Sequence, residues 1–142
     1  MPKATQVNWQ PISQMPLIAG MIKGSLDDTR EHLATLTKAR DQPHVLDDAT
    51  IDRVEQVHAE QMEFVGIYTQ QISRWRTEKP SASQVRELDR MEKQNQQLRG
   101  VTADVLTLAR ELREGTIERV LGMSDIELGL QALLGNRSSG RR

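Results

Sequence analysis

The chain contains no cysteine, which removes disulfides, thiol catalysis and cysteine-based zinc sites together. Aromatic residues are scarce: Trp9, Phe64, Tyr68 and Trp75 are all there are. A core must therefore be aliphatic, and a long thin one between helices suits a single domain of 142 residues. Neither sign of charge is in surplus, with 19 Lys+Arg against 20 Asp+Glu. Duplex-binding domains carry a basic excess that displaces counterions, so composition weighs against nucleic acid. No window approaches the roughly 20 apolar residues that a membrane-spanning helix needs. Residues 1–10 hold one Lys and no apolar stretch, unlike a secretory leader; the expected location is cytoplasmic, with no membrane partner.

Enzymatic signatures are missing as well. There is no glycine-rich phosphate loop, no Gly-x-Ser-x-Gly and no His-Glu-x-x-His. The acidic residues interleave with Lys and Arg, as on solvated helix faces. The expectation is a chain that is not an enzyme and carries no cofactor.

Helical periodicity fills the chain. A first helix is predicted over 16–40 from the stripe Ile18, Ile22, Leu26, Leu33 and Leu36, with Thr29 in the gap. Gly20 and Gly24 each cost about 1 kcal/mol against Ala, so a break near Gly24 is an option. A second helix is predicted over 48–76 behind an Asp47 cap. It shows a heptad, with Ile51, His58, Val65 and Ile72 at one position and Val54, Gln61, Tyr68 and Trp75 at the other. Val57 and Phe64 widen its apolar arc to about 160°, more than one neighbour covers, which predicts a central place for this helix. A third, over 81–114, starts at the capping box Ser81–Gln84 just after Pro80. Its heptad runs Leu88, Met91, Asn95, Leu98, Thr102, Val105, Ala109, Leu112. The fold class these patterns predict is all-α: an antiparallel coiled-coil hairpin, a packed N-terminal helix and a short C-terminal helical pair.

That last pair is read from residues 116–135, which hold Ile117, Val120, Leu121, Ile126, Leu128, Leu130, Leu133 and Leu134, with a second capping box at Ser124 and Glu127. The domain is expected to span 13–135, between mobile tails at 1–12 and 136–142, the latter basic.

Three constellations could carry chemistry. The first is a polar seam of His58, Gln61, Asn95 and Thr102 inside an aliphatic hairpin. Folding the hairpin about 77–81 puts Gln61 near Asn95 or Leu98 and His58 near Thr102; buried polar layers of this kind set register and association state. The second is a Glu-x-x-His, Glu55 and His58, the spacing of di-iron bundles; it occurs once, so it is a weak metal candidate. The third is a helix-turn-helix outline over 116–134. Its second helix opens on Asp125 and Glu127 and holds no Lys or Arg, where base and phosphate contacts would be needed.

The function expected from these features is a structural or adaptor module acting through protein–protein contacts. A DNA-associated regulator using 116–134 is the alternative and a single-site metal-binding bundle the third. Area argues for a homodimer. The arc of the second helix, a second edge at Val85, Val101, Leu106 and Leu108, and the aliphatic C-terminus exceed what the first helix can cover. Phe64, Tyr68 and Trp75, with Ile117, Val120, Leu121, Leu128 and Leu133, are the expected interface residues.

Overall fold

The computed structural model describes residues 7–42 and 46–116. They form an all-α bundle of three helices: α1 (Met15–Ala39), α2 (Asp48–Arg76) and α3 (Ala82–Arg113), with a short 3-10 turn at Ile12–Gln14 before α1. The expected C-terminal pair, from Ile117 onward, and the terminal tail at 136–142 lie outside the described residues, as does His44. Among the described residues no helix is long and apolar enough to cross a membrane.

Local chemistry sets the helix starts. The Asp47 carboxylate accepts the Thr50 N–H at 2.8 Å, which stabilises its charged form and holds its pKa below the usual value. At α3 the Ser81 hydroxyl accepts from Gln84 N–H while the Gln84 side chain accepts from Ser81 N–H, satisfying two N-terminal donors at once. The α2–α3 connection turns at Lys79, which takes a left-handed φ of 52°. α1 is unbroken through Gly20 and Gly24. Apart from the neighbouring backbone of α1 itself, no atom lies within 4 Å of where their Cβ atoms would stand.

The heptad of α3 is buried in full from Leu88 to Leu112. The core divides into two apolar clusters. The upper one joins Met15–Leu26 of α1, Val65–Trp75 of α2 and Leu88–Leu98 of α3. The lower one joins Leu36, Ile51, Val105, Leu108, Ala109 and Leu112. α1 therefore runs parallel to α3 and antiparallel to α2.

The central helix is α3, not α2 as the apolar arc suggested. The backbones of α1 and α2 both approach α3 closely, and α1 meets α2 chiefly through long side chains. The reason lies in the second edge of α3. Leu108 is 3% exposed in the lower cluster with Leu36 of α1 and half-buried Val101 packs on the upper cluster, so this part of the edge is covered within the chain, while Val85 stays exposed. A further correction concerns the N-terminus. Residues 7–12, assigned to the mobile tail from sequence, are held against α2: Trp75 Nε1–H donates to Gln10 O at 2.9 Å and Gln10 N–H donates to Gln71 Oε1 at 2.8 Å. The Arg74 guanidinium lies over the Trp9 ring at 4.2 Å from its centroid.

Candidate functional site

The seam residues separate into two polar layers. In the lower one, half-buried Gln61 donates from Nε2 to Thr29 Oγ1 at 2.8 Å and to Thr102 Oγ1 at 2.9 Å, joining all three helices. Thr29 in turn donates to Ser25 O at 2.6 Å. This layer lies between the two apolar clusters, where a misaligned helix would leave buried hydroxyls unpaired. Seven residues up α3, Asn95 Nδ2 donates to Val65 O at 3.1 Å and to Thr69 Oγ1 at 3.0 Å. Asn95 Oδ1 is buried with no partner.

One expected pairing is refined and one is corrected. Gln61, expected near Asn95 or Leu98, meets Thr102, one turn along α3 from Leu98. His58 does not meet Thr102; its Nδ1–H donates to Val54 O of its own helix at 2.8 Å, and its ring stands edge-on to His32 of α1 at 5.6 Å between centroids. Thr29, read in the sequence only as filling a gap in the stripe, completes the lower layer; its place at the stripe's spacing was the available signal.

Glu55 and His58, the weak metal candidate, each face other partners in the described residues. Glu55 Oε1 binds Arg113 Nη2 at 2.5 Å, and the same guanidinium holds Asp52 at 2.8 Å, which ties the first turns of α2 to the end of α3. These carboxylates raise the Arg113 pKa further. Among the described residues no group of three His, Cys, Asp or Glu side chains converges.

The site with the clearest geometry is apolar. Because α1 leans on α3, a groove opens between α1 and α2. Its largest cavity, about 480 Å³, is lined by Leu17, Ile18, Met21, Phe64, Ile67 and Tyr68, with Val7, Asn8 and Gln10 contributing at its upper end. Cavities of about 200 Å³ at Val57, Gln61 and Phe64 and about 300 Å³ at Leu36, Val54 and Val57 continue it downward. Leu17, Met21, Val57 and Phe64 are 56%, 43%, 47% and 51% exposed. Of the aromatics expected at an interface, only Phe64 is open. Trp75 is fully buried beneath Gln10, and Tyr68 at 6% exposure forms the groove wall with its hydroxyl pKa pushed up by burial. A second cavity, about 260 Å³ between α2 and α3, is bounded by Arg76, Glu92 and Asn95, and there Arg76 is already paired with Glu92 at 2.6 Å and Asp89 at 3.0 Å.

The helix-turn-helix outline at 116–134 and the interface residues Ile117, Val120, Leu121, Leu128 and Leu133 lie outside the described residues. No family model, no curated protein and no solved structure matches this chain.

Proposed function

We propose that this chain is a non-enzymatic protein–protein interaction module, a small structural or adaptor bundle of the cytoplasm that self-associates as a homodimer. Its α2–α3 hairpin we read as an antiparallel coiled coil serving as the scaffold, with the α1–α2 groove as the binding surface. One observation carries the reading. Among the described residues five large hydrophobic side chains are exposed, and four of them, Leu17, Met21, Val57 and Phe64, line that one groove. Apolar residues scattered singly over a surface need no explanation, whereas a contiguous row is characteristic of an interaction surface.

Sedimentation equilibrium at micromolar concentration tests this. The expected mass is about twice the 16.1 kDa of one chain. Phe64→Glu combined with Val57→Glu should return the mass to that of a monomer while the helical signal stays unchanged. A single-chain mass that does not rise with concentration overturns the reading.

A further inference from the structure

We propose that the homodimer is held by exchange, with residues 117–134 of each copy lying in the α1–α2 groove of the other. This rests on the self-association argued above and names what fills its binding surface.

The first argument is where the described chain stops. Thr116 is fully buried, and its hydroxyl donates to Asp48 Oδ1 at 2.6 Å on the first turn of α2. Beside it Arg113 is held by Asp52 and Glu55. At roughly 100° per residue these two carboxylates sit about 120–180° round α2 from Val57 and Phe64. The chain thus leaves on one side of α2 and the groove opens on the other. To reach its own groove it must pass beneath the end of a helix about 10 Å across, which uses up residues 117–120 and withdraws Ile117 and Val120 from contact. Only Glu114 and Gly115 separate α3 from Thr116. A hinge that short favours exchange between copies over a tight return.

Length and chemistry agree. The groove runs from Val54 to Gln71 along α2, about 26 Å at 1.5 Å per residue. Residues 117–134, read from the sequence as two short helices, span at most about 27 Å when laid end to end on the same scale. They carry eight large aliphatic residues, which need an apolar surface to cover them. The groove is where the described chain exposes such residues side by side.

The absence of cysteine makes the test clean. In the full-length chain Phe64→Cys is combined in turn with Leu121→Cys, Ile126→Cys and Leu128→Cys. Met21→Cys serves as a second groove position, and exposed Arg86→Cys on α3 serves as the control. Under mild oxidation the expected product is a covalent dimer whose linked peptide joins the groove position to the tail. It should form on the order of a hundredfold faster than from the control pairs. A link within one chain, a 64–64 link between copies, or no link from either groove position overturns the exchange. Sedimentation of the cysteine-free chain keeps the two ideas apart. A dimeric mass with an internal link defeats the exchange alone, and a monomeric mass defeats the homodimer itself.

Discussion

Trp75 and Phe64 stand three turns apart on nearly the same face of α2, yet Trp75 is fully buried and Phe64 is 51% exposed. Their helix treats them alike; what differs is a stretch of chain more than fifty residues away in sequence. The N-terminal arm crosses the upper end of α2, with Gln10 clamped by Trp75 and Gln71, and closes the groove there. Lower down, no described segment closes it. Burial on this face is therefore decided by which irregular segment reaches it, and the apolar period of α2 is silent on that.

The comparison breaks most visibly by truncating each aromatic. Trp75→Ala removes a large side chain from the upper cluster and the indole donor to Gln10 O, and should cost about 3–5 kcal/mol. Phe64→Ala should change the unfolding free energy of the isolated chain by no more than about 0.5 kcal/mol, and its effect should appear in association. Urea unfolding at nanomolar concentration, below the dimer range, compares the two. Equal losses would mean that Phe64 is covered within its own chain.

A smaller effect sharpens the role of the arm. Gln71 is buried and accepts the Gln10 N–H. Gln71→Leu keeps the volume but leaves that donor unpaired, which should cost about 1–2 kcal/mol. The arm should loosen, and Trp75 emission should shift to the red with the helical signal unchanged. An unshifted spectrum would show that the Trp75–Gln10 bond alone secures the arm.

These contrasts mark what was legible in the sequence. Asp47, Ser81 and Gln84 announced the starts of α2 and α3 because capping uses residues within one turn. The heptad of α3 was legible because every member faces the core. The polar seam was legible as a set but not in its pairing: Gln61 reaches Thr102 and Thr29, since register depends on how α1 seats against α3. The central place of α3 and the docking of Gln10 were also hidden. Periodicity identifies an apolar face without naming its neighbour, and Trp75 in particular reads as an interface residue until the arm that covers it is known.

The smallest effect concerns His58, at the lower end of the interface between α1 and α2. Its Nδ1–H is committed to the Val54 carbonyl, and its ring meets His32 across the helices. Burial disfavours the imidazolium and is the largest influence; the Val54 carbonyl works against it and the charge of His32 adds to it. The net result is a pKa lowered from the ordinary 6.5. The unfolded chain then binds a proton at a higher pH than the folded one. His58 favours the folded state fully above about pH 6.5. That contribution declines as pH falls below this value and is gone once the folded-state pKa has been passed. Stability followed by urea midpoints from pH 8 to pH 5 should thus decline in the wild-type chain, and His58→Gln should flatten most of that slope. Asp47 does not confuse the window, since its pKa is lowered from 3.8 and its loss falls at lower pH still. His32→Gln should retain most of the slope, because the charge of His32 is the least of the three influences on His58. Parallel pH curves for the wild type and His58→Gln would show that His58 is equally easy to protonate in both states, and that the α1–α2 side of the bundle is as open to water at His58 as it is at Phe64.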